Sequence, residues 1–231
     1  MIPLRDDQPR FSTPYVTYFL IALNLIIYYF QSQLAPEAFQ NLIFQFGFTP
    51  ADVAELFTGT GSLRLPSVLL PFLTSMFLHG NWWHVIGNMW FLWIFGDNIE
   101  DHMGHGRYLL FYFLSGIAAA AAQVVLTPHV VVPTVGASGA IAGVLGAYFI
   151  LYPRARVLTW FPPIFFFYLP AWVMLGFWFA LQFFSGAATN TASYSQSGGI
   201  AFWAHVGGFV AGIILVKILP ERPQRYRYGT W

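Results

Sequence analysis

Four polar residues lie within apolar stretches of the chain and are of types that serve in acyl-transfer chemistry. Ser138 offers a hydroxyl in a charge-free stretch of small residues, 135–148, and His205 offers an imidazole in another apolar stretch. A serine hydroxyl becomes a good nucleophile when an adjacent base takes its proton, and histidine is the commonest base. His84 and Asn88 are spaced i and i+4, which places two hydrogen-bond donors on one helix face. Converging donors suit the oxyanion of a tetrahedral intermediate.

The elements that must bring these residues together are membrane helices. Only 8% of the residues are charged and 57% are hydrophobic, with a mean hydropathy of +0.60. Soluble domains carry about 25% charged residues, so lipid must cover much of this surface. Long unbroken apolar runs argue against a membrane β-barrel, whose strands alternate in polarity. The absence of cysteine excludes disulfides, thiolate metal ligands and a cysteine nucleophile.

Six apolar stretches predict an all-α membrane fold, a six-transmembrane-helix bundle that forms one domain over 1–231. The segment 35–71 is too interrupted to span a bilayer and too apolar for a solvated linker. It is predicted to form short helices in the membrane interface. The predicted spans are about 15–34, 82–99, 108–126, 135–152, 162–184 and 200–219.

The basic residues predict the orientation of the spans. Six spans place both termini on one side of the membrane, and cytoplasmic loops carry an excess of Lys and Arg. Arg64 is the one basic residue predicted on the opposite side, so both termini are predicted to be cytoplasmic. The basic residues predicted on the same side as the termini are Arg5, Arg10, Arg107, Arg154, Arg156, Lys217, Arg222, Arg225 and Arg227.

This topology places the four polar residues at one depth. Spans two, four and six then run from outside to inside, and each polar residue lies within about two turns of its span's start. At 1.5 Å per residue, His84, Asn88, Ser138 and His205 lie roughly 3–12 Å below the outer boundary. Strongly polar groups inside a bilayer are costly and are functional candidates by default.

Small residues on the fourth and sixth spans are predicted to let these helices approach closely. Because Ser138 and His205 lie on the same helix faces as these small residues, the close approach would bring the serine toward the histidine. No Asp or Glu lies in the outer half of any span, so the predicted site is a Ser–His dyad without a triad carboxylate. The predicted stripes are Ser138, Ala142 and Gly146 on the fourth span, and His205, Gly208 and Gly212 on the sixth.

These residue types also have other interpretations. A serine in a membrane helix is often packing material or bonds to a carbonyl one turn earlier. Zinc binding is disfavoured, because His79 and His84 are five residues apart without a supporting carboxylate; no metal or other cofactor is predicted. A small transporter or channel would place polar residues through the full membrane depth or show an inverted repeat.

Three motifs contain the four candidate residues. They are His79-Gly-Asn-Trp-Trp-His84 continuing to Gly87-Asn88, then Gly136-Ala-Ser-Gly139, and Ala204-His-Val-Gly-Gly208 with Gly212. By these motifs the chain resembles the rhomboid family of intramembrane serine proteases, of the six-span bacterial type, and the resemblance extends over essentially the whole chain. It implies Ser138 as nucleophile, His205 as base and acid, and His84 and Asn88 as oxyanion donors.

The resemblance also implies a membrane-embedded first loop, a fifth span that gates substrate entry, and residence in the plasma or inner membrane. The implied function is endopeptidase cleavage of transmembrane segments of other membrane proteins near the outer surface. The implied partners are such substrates and the lipid bilayer, not nucleic acid. The alternative is a non-proteolytic relative that binds client transmembrane helices.

One position departs from the pattern of some family members. These members carry an aromatic residue four positions after the serine, where it stacks on the catalytic histidine. Here that position is Ala142. The orientation of His205 must therefore depend on groups that the sequence does not identify.

Overall fold

The computed structural model describes residues 1–59, 65–189 and 201–221, and these ranges are mostly helical. A short 3₁₀ turn, Ser75–Phe77, precedes the helix that begins at Trp82. Within these ranges the chain forms three strands, β1 (Ile2–Arg5), β2 (Arg156–Phe161) and β3 (Phe165–Pro170). The helices are α1 (Tyr15–Ser32), α2 (Pro36–Phe46), α3 (Pro50–Thr58), α4 (Leu65–Leu69), α5 (Pro71–Thr74), α6 (Trp82–Met103), α7 (His105–Leu126), α8 (Ser138–Leu151), α9 (Ala171–Ala188) and α10 (Phe202–Ile218).

Helices α1, α6, α7, α8, α9 and α10 occupy the six predicted spans. Of these, α1, α7 and α9 are long and apolar enough to cross a membrane, whereas α8 and α10 are shorter apolar helices. With 14 residues, α8 extends over about 21 Å at 1.5 Å per residue, less than the ~30 Å hydrocarbon core. The number of spans therefore remains a prediction.

Helix α8 lies at the centre of the bundle. Every residue from 140 to 148 is buried, and α8 contacts α6, α7, α9 and α10. A helix that is enclosed in this way must be apolar on all sides. The absence of charge around Ser138 thus follows from the position of its helix.

Glycines bring α8 and α10 into backbone contact. A Cβ atom added to Gly208 would lie 2.1 Å from the carbonyl oxygen of Gly139, and one added to Gly212 would lie 1.9 Å from that of Gly143. Both distances are far below van der Waals contact, so only glycine fits at these crossing points. This close approach carries the start of α10 alongside the start of α8.

The stripe predicted on α8 needs correction. Gly146 does lie at the crossing, where an added Cβ would be 2.1 Å from the carbonyl oxygen of Phe209. The rest of the contact uses Gly139 and Gly143, while Ser138 and Ala142 line a cavity. The helix is rotated by about one residue, so its backbone packs through glycine and the serine side chain borders open space.

The fifth span begins later than the predicted 162–184. Strands β2 and β3 form an antiparallel hairpin, with Arg156 opposite Pro170 and Phe161 opposite Phe165, and β1 pairs with β2. Helix α9 therefore starts at Ala171. A short run of apolar aromatics is compatible with either a strand or a helix, and here pairing with β2 selects the strand.

Short helices occupy the described parts of the segment between α1 and α6, as the sequence predicts for 35–71. This segment is hydrogen-bonded to the chain just before α8. Phe48 and Thr134 exchange backbone hydrogen bonds of 3.0 and 2.7 Å. Phe48 is buried and stacks edge-on against Phe72. The first loop thus supports the chain just before Ser138.

Candidate active site

Ser138 and His205 are in direct contact. Ser138 is the first residue of α8, and its Oγ lies 2.7 Å from Nε2 of His205 on α10. This is an ordinary hydrogen-bond distance, and it is the contact that allows a histidine to accept a serine proton. The structure therefore joins the two residues that the sequence proposes as a dyad.

A glycine sets the path of the chain into α8. Gly136 has a φ of +127°, a backbone conformation that residues other than glycine rarely adopt. Its N–H donates to the Ser75 carbonyl at 2.8 Å, and an added Cβ would lie 2.7 Å from His84 Nε2. The segment before Ser138 can therefore pass directly over α6.

His84 and Asn88 face the same region from α6. The N-cap residue Asn81 accepts a 2.9 Å hydrogen bond from the His84 N–H, which fixes the first turn of this helix. Both side chains lie beside Gly136, where a Cβ added to this glycine would be 2.7 Å from His84 Nε2 and 3.5 Å from Asn88 Nδ2. Among the residues that the structure describes, buried Asn88 Nδ2 has no hydrogen-bond partner.

All four predicted site residues line the same cavity. Its volume is about 240 Å³, and His84, Asn88, Ser138 and His205 lie along its wall. The remaining lining is mainly apolar, including Phe91, Ile141, Leu145 and Trp178. An apolar cavity with a few converging polar groups is typical of a binding or reaction site.

Two residues of α9 contact His205, and the sequence pattern did not predict either contact. Gln182 Oε1 lies 2.7 Å from His205 Nδ1, and the Trp178 ring centroid lies 5.9 Å from that of the imidazole. A signal was available, because Gln182 is a strongly polar residue within an aromatic membrane stretch. The sequence does not give the rotation of α9 that turns Gln182 toward His205.

Gln123 on α7 holds the beginning of α10. Its Oε1 accepts a 2.9 Å hydrogen bond from the Ala204 N–H, and its Nε2 donates to Thr127 at 2.8 Å. The first N–H groups of a helix lack intrahelical acceptors, so this side chain serves as a cap supplied by another helix. It stabilises the turn that carries His205.

His79 lies behind the site rather than in it. Its side chain is fully buried, and its ring packs edge-on against that of His84, with centroids 5.1 Å apart. Burial and the neighbouring His84 lower the pKa of His79 to about 3. The Gln31 side chain bonds both the carbonyl oxygen and the N–H of His79, at 2.6 and 3.2 Å. His79 is therefore a neutral packing residue that supports the His84 ring.

The fold is that of a helical membrane bundle, and a serine–histidine pair lies beside a cavity within it. The rhomboid domain family model matches residues 66–222, and the chain belongs to the rhomboid family. It is similar to Rhomboid protein 1, mitochondrial, of Saccharomyces cerevisiae, with 31% identity over 168 residues, 68% of this chain and 45% of that protein.

Two further relatives have the same level of identity. Rhomboid-like protein 11, chloroplastic, of Arabidopsis thaliana is 31% identical over 66% of this chain and 53% of its own length. Rhomboid protease GluP of Bacillus subtilis is 31% identical over 58% of this chain and 24% of its own length. The matches thus span about half or less of the length of these relatives.

Proposed function

We propose that this chain is an intramembrane serine endopeptidase with Ser138 as nucleophile and His205 as general base and acid. The observation that supports this proposal is the 2.7 Å contact between Ser138 Oγ and His205 Nε2. The contact lies on the wall of a cavity of about 240 Å³ inside the helical bundle. Family membership supports protease-type chemistry in general.

In the first step, Ser138 Oγ attacks the carbonyl carbon of the scissile peptide bond while His205 Nε2 takes the hydroxyl proton. The tetrahedral intermediate then collapses. The C–N bond breaks, and His205 returns the proton to the departing amine. The product of this half-reaction is an ester between Ser138 and the new carboxyl end of the substrate.

The negative oxygen of the intermediate would be stabilised by donors on α6 and at the start of α8. These are Asn88 Nδ2, the His84 imidazole and the Ser138 backbone N–H. An oxyanion acceptor would supply Asn88 Nδ2 with the hydrogen-bond partner that it lacks among the described residues. Donors fixed before reaction stabilise the charge without reorganisation.

Water completes the reaction. His205 takes a proton from a water molecule, whose oxygen attacks the ester carbonyl. The acyl–oxygen bond breaks, and the proton passes to Ser138 Oγ. Both the dyad and the enzyme are thereby restored, with one water consumed and one peptide bond cleaved.

The proposed substrates are membrane proteins with a span that unwinds easily near its outer end. A helical backbone keeps its carbonyls in intrachain hydrogen bonds, and in lipid these bonds are costly to leave unmade. Small or helix-breaking residues reduce that cost. The proposed cleavage positions therefore lie close to the membrane surface, at the shallow depth of Ser138.

The proposed location is the plasma or inner membrane with both termini in the cytoplasm. Two sets of contacts support an arrangement with both ends on one side of the bundle. The Phe11 N–H donates to Asp101 near the end of α6 at 3.1 Å. Arg107 donates to the carbonyl oxygen of Glu221, close to the described end of the chain, at 3.0 Å.

The direct test uses the purified chain in detergent with a single-span model substrate. Wild type should cleave the substrate, and Ser138→Ala and His205→Ala should abolish cleavage. Ser115→Ala is the matched control, because Ser115 is a buried serine on the neighbouring helix α7. Cleavage by Ser138→Ala at the wild-type rate would overturn the assignment.

A second measurement separates the protease from a non-proteolytic helix-binding relative. A fluorophosphonate forms a covalent bond to an activated serine. A protease should be labelled at Ser138 only when His205 is present. Substrate binding without labelling would favour the non-proteolytic alternative.

A further inference from the structure

We propose that Gln182 on α9 is the positioning residue that fixes the tautomer and orientation of His205. This proposal rests on the proposed peptidase function, because it assigns the group that prepares the base. It also identifies a group that orients His205 in a chain whose residue 142 is alanine rather than an aromatic residue.

The imidazole is held through both of its nitrogens. Nε2 lies 2.7 Å from Ser138 Oγ, and Nδ1 lies 2.7 Å from Gln182 Oε1. The two contacts come from different helices, α8 and α9, while His205 itself is on α10. Three helices must therefore be packed together before the ring is held in this position.

The partner at Nδ1 determines which nitrogen can act as the base. A neutral imidazole has one N–H donor and one acceptor nitrogen. Gln182 Oε1 can only accept, so the proton belongs on Nδ1 and the lone pair of Nε2 faces the Ser138 hydroxyl. This is the tautomer that can remove the serine proton, and in triad enzymes a carboxylate imposes it.

Trp178 holds the plane of the ring from the same face of α9. Residues 178 and 182 are i and i+4, so their side chains are neighbours on one helix surface. The Trp178 and His205 rings are inclined by 36° with centroids 5.9 Å apart. On α8, position 142 is an alanine and has no ring that could stack on the imidazole. Helix α9 thus supplies the ring contact that α8 lacks.

An amide can also support the wrong tautomer, and this makes the role testable. If the Gln182 amide were turned over, its NH₂ would donate to Nδ1, and Nε2 would then carry the proton. A carboxylate has no such alternative, because it can only accept. Gln182→Glu should therefore keep the productive tautomer, whereas Gln182→Leu removes the contact with little change in size.

The contact also ties the readiness of the site to the position of α9. N–H···O hydrogen bonds have donor–acceptor distances of about 2.7–3.2 Å, so a displacement of α9 by about 1 Å from the present 2.7 Å would release Nδ1. His205 is then held in its productive tautomer only while α9 packs against α10.

The test compares Gln182→Leu, Gln182→Glu and the control Leu181→Ala, whose exposed side chain lies on the same turn of α9. Gln182→Leu should lower kcat about tenfold, the size of one lost hydrogen bond, with KM nearly unchanged. Gln182→Glu should retain a kcat close to wild type, and Leu181→Ala should match wild type. Melting temperatures confirm that each variant is folded.

A spectroscopic measurement reads the tautomer independently of turnover. In ¹⁵N-histidine-labelled protein, the His205 signals are identified by their loss in His205→Asn. Wild type and Gln182→Glu should show a protonated Nδ1, and Gln182→Leu should show a mixture of tautomers. Wild-type kcat and unchanged ring signals in Gln182→Leu would overturn the positioning role.

These measurements also separate this proposal from the proposed function. If wild type neither cleaves nor reacts with a fluorophosphonate, the peptidase assignment fails. A tautomer change in Gln182→Leu would still support the positioning contact in that case. Normal wild-type cleavage with an unaffected Gln182→Leu would leave the peptidase standing and reject Gln182.

Discussion

Gly212 on α10 lies against the backbone of Gly143 on α8, so closely that an added Cβ would be 1.9 Å from the Gly143 carbonyl oxygen. Gly143 lies about one and a half turns of α8 below Ser138. Its contact with Gly212 sets the distance between the two helices that carry the dyad. The separation of Ser138 from His205 therefore depends on residues that have no chemical role themselves.

Enlarging Gly212 should disrupt the dyad. Gly212→Ala must push α10 away from α8, and a displacement of about 1 Å at a reaction site can cost roughly 10²-fold in rate. We expect a loss of this order in substrate cleavage and a matching loss in fluorophosphonate labelling. Gly106→Ala on α7 is the control, because its added Cβ meets nothing within 4 Å. Full activity in Gly212→Ala would show that the helix spacing is not limiting.

Removing the Asn88 amide should slow the chemical step. If Asn88 Nδ2 donates to the oxyanion, Asn88→Ala should lower kcat by about 10²- to 10³-fold with a smaller change in KM. Steady-state cleavage over a range of substrate concentrations separates the two constants. Asn98→Ala, at the other end of α6, should keep kcat near the wild-type value. A change confined to KM would instead assign Asn88 to substrate binding.

His79 should make the fold sensitive to mild acid. Its folded-state pKa is lowered to about 3 from an ordinary value of 6.5, so the unfolded chain binds the extra proton first as the pH falls. Stability should therefore decrease below about pH 6.5, by about 2 kcal/mol at pH 5 from this group alone. Thermal unfolding in detergent at pH 7, 6 and 5 measures the effect.

His79→Phe removes this titration and should show a shallower pH dependence than wild type. His129→Gln, which changes an exposed imidazole, should behave like wild type. An identical pH dependence in wild type and His79→Phe would contradict the assignment of buried His79 as a neutral packing residue.

Glu100 should be important for stability without being part of the site. Its buried carboxylate accepts hydrogen bonds from the Val16 and Thr17 N–H groups at 2.9 and 2.8 Å, and from the Thr17 hydroxyl at 2.7 Å. The two N–H groups belong to the first turn of α1, where backbone N–H groups lack intrahelical acceptors. Glu100→Leu should lower the free energy of unfolding by about 2–4 kcal/mol.

Chemical unfolding in mixed micelles would measure the change at Glu100. Glu37→Leu provides the matched control, because its carboxylate is an exposed first-turn residue of α2. At temperatures where both variants are folded, their cleavage rates should be similar. A stable but inactive Glu100→Leu would place this residue in the reaction instead.

The amino-acid sequence by itself determined the class of the protein and the candidates for its chemistry. Scarcity of charge requires a lipid environment, because too few polar groups remain to cover a water-facing surface. Ser138, His205, His84 and Asn88 stand out because polar side chains in apolar helices are costly. Their predicted depth in the membrane follows from counting residues along each predicted span.

Tertiary structure decided how the helices are rotated and what lies beside each candidate. Sequence periodicity locates a face on one helix, but contact depends on the orientation of two helices at once. The crossing of α8 therefore uses Gly139 and Gly143 rather than the predicted stripe, and Gln182 of α9 reaches His205. The strand 165–170 likewise depends on β2 as a partner, because local apolarity suits a strand or a helix equally.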